Sequence, residues 1–499
     1  MIEGLFQLLN SLQLLAFLVL AVPIGLFFGV VPGLGGKIAI VAMLPFVFAM
    51  DQLTGCVFLI SLHAVVHTGG AVPSILFGVP GTGPSTAIVA DGHALARKGQ
   101  AVRALSASSF SSALGGVFGA GILALLIPFS LQIITYLSYP EIFFLTLCGI
   151  YMAAGLAGSS VLKGLLTGIL GLMLATIGIE NSTGSERYTF GAMFLWDGLD
   201  LITAVLAIYA IPEMIALGGS RNRSGASHTS EKTVGFGQIT LGIRDVIAEK
   251  WLVLRCSGIG ALTGFMPGLG GDVAAWVCYG HSVQSAKDKS EFGNGAIAGV
   301  IGPEAANNSK EGGSLAPTLF LGIPGSSGMA VLLIALIPLG FDPGPGLLAE
   351  NSDIVWLMVW TLVISNVLAG VLVVACAPVL DRLARLDPAI IAPYVFILAI
   401  FSIYLSANDW RFFCFAAALS ALGLAFKRLD WPRAPMVVGL ILGPTAEDAL
   451  VKSLSIWGWD FFLRPASLPL IILLFWIAFR FSRRLGELAI ARNEATRWR

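Results

Sequence analysis

The sequence predicts an all-α polytopic membrane protein made of two inverted-topology repeats, each with a broken helix and a re-entrant hairpin. The first observation behind this is composition: the 499 residues are 56% hydrophobic and only 12% charged, with a mean hydropathy of +0.87. A soluble chain of that length needs far more polar surface. The second is repetition. GVVPGLGG at 29–36 returns as GFMPGLGG at 264–271, and PSILFGVPG at 73–81 returns as PTLFLGIPG at 317–325, at offsets of 235 and 244. Both pairs put Pro and Gly, which break helices, inside long apolar stretches. Two halves built this way have the pattern expected of a secondary carrier whose site lies where the repeats meet. The third observation is the distribution of positive charge, which gives the repeats their sense.

In chain order, Leu12–Phe28 is expected to be a retained span, because Glu3 stands where a signal peptide carries a basic flank. A spanning helix needs roughly 20 apolar residues, which gives about nine to twelve crossings or half-crossings along the chain. The first repeat occupies 1–217. Gly218–Lys250, rich in Ser, Gly and charge, is expected to be a solvated cytoplasmic linker. The second repeat occupies 251–482, and 483–499 is a basic cytoplasmic tail. Many of the 59 glycines fall in small-xxx-small arrays such as GGVFGAG at 115–121, where helix backbones approach closely.

Basic residues favour the cytoplasmic side. Arg97, Lys98 and Arg103 follow the first hairpin, whereas the counterpart after the second, 340–351, has two acids and no base. Ser138–Glu141 has no basic residue, whereas the equivalent 381–388 carries Arg382 and Arg385. Equivalent loops therefore fall on opposite sides, and the halves are expected to be inverted.

The hairpin segments 78–86 and 322–328 place free backbone N–H groups beside small hydroxyls. Such irregular backbone is tolerated at bilayer depth only where protein or water covers it, and helix N-termini favour anions. Gly81, Thr82, Gly83, Ser85 and Thr86, with Gly325, Ser326 and Ser327, are therefore the candidate substrate contacts. Asn307 and Asn308 in GPEAANNSKEGG (302–313) join them, since an amide both donates and accepts. The candidates for holding a coupling ion are Gly33, Gly35, Gly268 and Gly270 in the PGLGG breaks, with Asp272 and Glu304. Glu304, Lys310 and Glu311 are alternatively placed at an aqueous mouth. Asp272 and Lys37, which follow the two breaks, are alternatively helix caps. His63 and His67 share one helical face as either a proton relay or a satisfied interior pair. Asp91 and His93 suit a gate or cap better than a ligand.

Several chemistries are excluded. HAVVH at 63–67 has Ala64 where a zinc protease has Glu. GLGGK is no phosphate loop, because Val31 stands at the required Gly and Ile38 at the required Ser or Thr. The six cysteines are scattered without CxxC spacing and are expected to be small buried hydrophobes. Lys plus Arg balance Asp plus Glu at 29 each, which argues against nucleic acid as a partner. Few charges are available to line a channel, and no nucleophile–base pair is apparent for an enzyme, although His63 could pair with a distant Ser.

With these residues assembled, the chain resembles the large membrane subunit of the tripartite tricarboxylate transporter family. The likeness runs through FGVVPGLGG, DGHALARKGQAVRAL, TFGAMFLWDGLD, AIPEMI, GFMPGLGG, PEAANN, PTLFLGIPGSSG and LGPTAEDAL. The resemblance implies a carrier of carboxylates in the bacterial inner membrane, driven by a proton or sodium gradient. It implies as partners a small membrane subunit and a periplasmic solute-binding protein that delivers the carboxylate. No cofactor is implied beyond a bound Na+ or H+ as coupling ion. The chain departs from its relatives at Thr82, where some have an acid, at His93 in place of a Tyr, and at the extra charge of Ser309-Lys310-Glu311. These departures leave tri-, di- and aromatic carboxylates all open as substrates.

Overall fold

The computed structural model describes residues 2–31, 34–78, 80–134, 138–156, 161–180, 184–219, 236–266, 270–344, 346–347, 352–376 and 388–476. Along the chain the helices are α1 (Ile2–Asn10), α2 (Leu12–Val30), α3 (Gly35–Val47), α4 (Gln52–Phe77), α5 (Val89–Leu95), α6 (Ala101–Ile134), α7 (Tyr139–Leu156), α8 (Val161–Ala175), α9 (Leu201–Val205) and α10 (Ile211–Gly219). They continue as α11 (Phe236–Ala248), α12 (Lys250–Phe265), α13 (Gly270–Ser285), α14 (Ala298–Leu321), α15 (Ser327–Leu336), α16 (Ser352–Ala375), α17 (Pro388–Ala407), α18 (Phe412–Arg428) and α19 (Ala434–Trp457). Leu12–Val30, Gln52–Phe77, Pro84–Phe129 and Ser352–Ala375 are long and apolar enough to cross a membrane. Pro435–Leu463 and Leu468–Trp476, bent by 70° between them, make a fifth if they form one span, and six shorter apolar helices suit half-crossings. One departure from all-α is the antiparallel pair β1 (Gly178–Ile179) and β2 (Glu186–Arg187).

The helices pack as two compact units, Met1–Phe129 with Glu213–Leu405 and Ser130–Pro212 with Ser406–Arg499. Neither unit is one sequence half. Packing follows shared buried faces, whereas the boundary expected at 217–251 follows the motif order. The expected linker is also shorter than its composition implies. Phe236–Ala248 is helical, and Arg103 makes a two-pronged pair with Asp245 on α11, at 2.5 and 2.9 Å. Apolar positions spaced along GQITLGIRDVIA give that segment a face to bury. Residues 220–235 and the tail 483–499 lie outside the described residues.

The first unit is built on two helix pairs, α2 with α4 and α12 with α14. In each pair a glycine lets the backbones touch. A side chain at Gly29 would meet Gly70 N at 2.9 Å, and one at Gly264 would meet Lys310 Cα at 3.0 Å. Gly29 and Gly264 are equivalent at the 235 offset. The helix ends repeat as well: α2 stops at extended Val31 (φ −82°, ψ 111°) and α12 at extended Met266 (φ −85°, ψ 111°). Helices α4 and α14 both end on a left-handed glycine, Gly78 (φ 69°) and Gly322 (φ 68°), whose N–H donates to a proline carbonyl one turn back, Pro73 or Pro317. The two left-handed glycines therefore set both stops, a conformation glycine adopts without the strain of a side chain. At the other end of α4, Asp51 accepts from Thr54 N at 3.1 Å and from Gln13 Nε2 at 2.7 Å. The Thr54 side chain, with backbone amides, holds the Asp51 carboxyl below its usual range.

In the second unit, Arg187 on β2 pairs with both carboxylate oxygens of Glu447 on α19, one bond at 2.9 Å. The pair lines a cavity of about 510 Å³ together with Glu180, Trp196, Asp197 and Asp448. Two of the motifs that carry the resemblance, TFGAMFLWDGLD and LGPTAEDAL, thus meet at one place.

Close backbone packing makes a direct prediction. Gly264→Val should destabilise the detergent-solubilised protein by about 1–3 kcal/mol through overpacking. Gly121→Ala, in a helix with nothing within 4 Å of the added carbon, should leave the melting temperature unchanged or slightly raised. Melting both variants alongside the parent checks this.

Candidate functional site

The two Pro-Gly turns share a hydroxyl-to-carbonyl bond and differ in what accepts the glycine N–H. At the first, Gly81 N–H donates to Gly70 O at 3.3 Å, and Ser74 Oγ donates to the same carbonyl at 2.9 Å. At the second, Gly325 N–H donates to Thr318 Oγ1 at 3.2 Å, while Thr318 Oγ1 donates to Ser314 O at 2.6 Å. Gly70, Ser74 and Gly81 map onto Ser314, Thr318 and Gly325 at the 244 offset. Each turn also meets the helix that follows the other half's PGLGG break. Trp276 Nε1 on α13 donates to Thr86 Oγ1 at 3.1 Å. On the other side α15 packs against α3, and the first turn of each lies against His63: a side chain at Gly328 would meet its Cε1 at 2.7 Å, one at Gly36 its Nδ1 at 3.0 Å.

His63 belongs to a buried ionisable cluster. The Glu311 carboxylate faces three nitrogens: His67 Nε2 at 2.9 Å and Lys310 Nζ at 2.5 Å on Oε1, and His63 Nε2 at 3.2 Å on Oε2. Lys310 Nζ also lies 3.3 Å from His67 Nε2. Relative exposure is 1% for Glu311, 3% for Lys310, 4% for His63 and 9% for His67. His67 and Glu311 are equivalent residues at the 244 offset, so a repeat position touches its own counterpart. Ligand atoms of His63, His67 and Glu311 lie within 4.8 Å of one another, a spacing a metal ion could use. The Lys310 ammonium, however, already takes the cation's place beside the same oxygen and the same imidazole.

The sequence-predicted residues divide among three settings. Ser85 and Thr82 are buried and bond one another: Thr82 N–H donates to Ser85 Oγ at 3.0 Å, and Ser85 Oγ donates to Thr82 O at 2.7 Å. Gly83 is exposed. Ser326 caps α15, accepting from Met329 N at 3.2 Å. Asn308 Nδ2 donates to Thr68 Oγ1 at 2.8 Å and to Asn366 Oδ1 at 2.6 Å, whereas the buried Asn307 amide has no partner at either atom among the described residues. Glu304 is buried on α14, with one carboxylate oxygen unpartnered among the described residues. Gly35 and Gly270 open α3 and α13. Gly33 and Gly268 lie outside the described residues, as do the side chains of Asp272 and Ser327.

The aqueous mouth is corrected. Glu304, Lys310 and Glu311 sit inside a helix buried from Gly299 to Phe320. Charge in a sequence suggests water, but here Lys310 and Glu311 pair with each other and with the α4 histidines, and Glu304 is buried on the same helix. The Lys310–Glu311 link to the histidines is the feature that sequence inspection missed. The 244 offset already paired position 67 with position 311.

Comparison with known proteins follows the same residues. The sequence pattern of the tripartite tricarboxylate transporter TctA family matches residues 15–438. The chain belongs to that family. An uncharacterized 52.8 kDa protein from the TAR-I ttuC' 3' region of Agrobacterium vitis is 30% identical to this TctA-family chain over 437 residues, covering 87% of the chain and 85% of that relative. An uncharacterized protein from the TAR-II ttuC' 3' region of the same organism is 32% identical over 198 residues, covering 40% of the chain and 81% of that relative. No solved structure matches. Membership makes the chain a transporter subunit and, the family's transporters being tripartite, implies partner subunits.

The TctA-family motif DGHALARKGQAVRAL contributes a clamp. Asp91 is fully buried, and its Oδ1 accepts from the N–H groups of Gly293, Gly295 and Ala296 at 2.7, 2.9 and 3.0 Å. Tyr279 O–H donates to its Oδ2 at 3.0 Å. Asp91 is therefore a cap, as one of its expected roles had it, and it fastens the α13–α14 loop to the segment after the first hairpin. His93 packs on left-handed Gly78, with Nδ1 3.2 Å from Ile75 O. Asp91→Ala should free those three amides at a cost of about 1.5–3 kcal/mol per charge-assisted bond. Faster hydrogen exchange confined to Gly293–Ala296, relative to α14, is the expected readout.

Proposed function

We propose that the chain is a secondary active transporter importing tri-, di- or aromatic carboxylates across the bacterial inner membrane, powered by a proton or sodium gradient. In this proposal a periplasmic solute-binding protein delivers the substrate, and a small membrane subunit completes the assembly. One observation carries the reading: two equivalent helix breaks, fastened by the same carbonyl–hydroxyl device, each packed on the helix after the other half's break. A paired arrangement of that kind lets two broken elements move reciprocally around a shared site, as alternating access requires. The halves are taken as inverted on the charge of their loops. Family membership supports transport itself.

The substrate carboxylate is assigned to the tips. Ser326 opens α15 with its hydroxyl proton still free to donate, and helix N-termini favour anions. Of the two asparagines, Asn307 is the better contact, because Asn308 spends both amide protons on Thr68 and Asn366. At the first tip, Ser85 holds the turn's own backbone, Gly81 N–H is bonded to Gly70 O, and the Thr86 hydroxyl donates to Gly83 O and accepts from Trp276, which leaves the exposed Gly83 to the ligand. Glu304 and the glycines of the PGLGG breaks remain the candidates for an ion.

Replacing Ser326 and Ser327 by Leu should reduce uptake of labelled citrate or succinate to background in cells that supply the partner subunits. Membrane insertion should stay at the parent level. Unaltered uptake by that variant would remove the second tip from the site.

A further inference from the structure

We propose that His63, His67, Lys310 and Glu311 form the proton-binding site of this transporter, and that the bound proton offsets one unit of the incoming anion's charge. The proposal rests on the carrier reading above and names its coupling ion. With Lys310 charged, Glu311 ionised and both imidazoles neutral, the cluster has no net charge. One added proton brings it to +1, deep in protein where an unbalanced charge is strongly disfavoured. An anion entering alone leaves a net negative charge there and meets the same obstacle. Entered together, the proton is compensated and the anion's net charge falls by one unit, which is the physical content of symport. The step breaks no covalent bond other than that to the proton: an imidazole nitrogen facing Glu311 takes a proton from water on one side and returns it to water on the other.

His63 connects this titration to movement. Its ring lies against the first turns of both α3 and α15, the helices that resume after a break in each half. Around it, α2 and α15 carry no charged residue. The other elements packed on α4 and α14 bring Lys37 (α3), Asp91 and His93 (α5), Lys250 and Arg255 (α12), Asp272 and His281 (α13) and Asp353 (α16), while α6 brings Arg103. Asp91 is saturated by its own donors and Arg103 by Asp245. The charges that act on His67 and Glu311 include Lys310, His63 and each other. A purely structural ion pair would need only Lys310 and Glu311; two imidazoles facing the same carboxylate add nitrogens that can take up and release a proton.

The full-length chain contains five histidines, few enough to assign individually. With 15N-labelled histidine in lipid nanodiscs, His63→Asn and His67→Asn would assign the two signals. Both should change protonation as a coupled pair when pH is scanned, and saturating citrate should move the transition to higher pH. Absence of any change in protonation for either residue would overturn the proposal. The double variant Lys310→Met/Glu311→Gln removes both charges together, so no charge is stranded, and it should uncouple the two titrations. In proteoliposomes with the partner subunits, accumulation of citrate, succinate or terephthalate should fall at least tenfold when an imposed pH gradient is collapsed, and His67→Asn should abolish that response. Accumulation driven by sodium alone and untouched by His67→Asn would sink the proton site while leaving the carrier reading in place. Coupled titration without movement of any tested anion would do the reverse. Should the double variant not fold, the parent titration decides.

Discussion

A single carboxylate, Glu311, organises the centre of the first unit. It lies in a helix buried along nearly its whole length, and removing one partner from a buried ion pair costs about 3–5 kcal/mol. Lys310 beside it and the two imidazoles across from it are thus conditions of the fold as well as groups with chemistry. α4 must present His63 and His67 on the face that meets α14, which fixes the rotation of both helices. Glycines at the neighbouring α2 and α12 contacts then bring the supporting helices to backbone distance.

The same constraint explains why two helices of equal architectural rank differ in composition. α4 is apolar apart from a few positions, whereas α14 carries Glu304, Asn307, Asn308, Lys310 and Glu311. Only α4 passes as a spanning segment by hydropathy. α14 is tolerated because its neighbours shield it and supply partners: Thr68 and Asn366 for Asn308, and α4 histidines for Glu311. Polar groups at such depth are retained only where protein satisfies them or where they act. Among the described residues, the Asn307 amide and one Glu304 oxygen have no such partner.

Reciprocity is the other organising property. Thr86 after the first Pro-Gly turn meets α13, and α15 after the second packs on α3, so each turn is tied to the helix following the opposite break. Asp91 adds a third tie, across the loop that leads into α14. These contacts all lie within one packing unit, although they join residues more than 180 positions apart.

Much of this was legible in the chain itself. Composition specified a membrane protein; the PGLGG and Pro-Gly pairs specified where helices stop, because proline and glycine act on their own backbone and need no partner to do so. Four helix ends, at Val31, Phe77, Phe265 and Leu321, follow from them. Family membership too is written in ordered motifs. What tertiary structure alone decided is which polar groups are buried and against what. Lys310 and Glu311 look like an aqueous mouth in sequence, since charge usually means water, and Phe236–Ala248 looks like linker. Their true settings depend on neighbours remote along the chain, the α4 histidines in one case and Arg103 in the other. The grouping of helices into two units that cross the repeat boundary has the same origin: a helix chooses the face that buries most surface, and nothing local records which element supplies it.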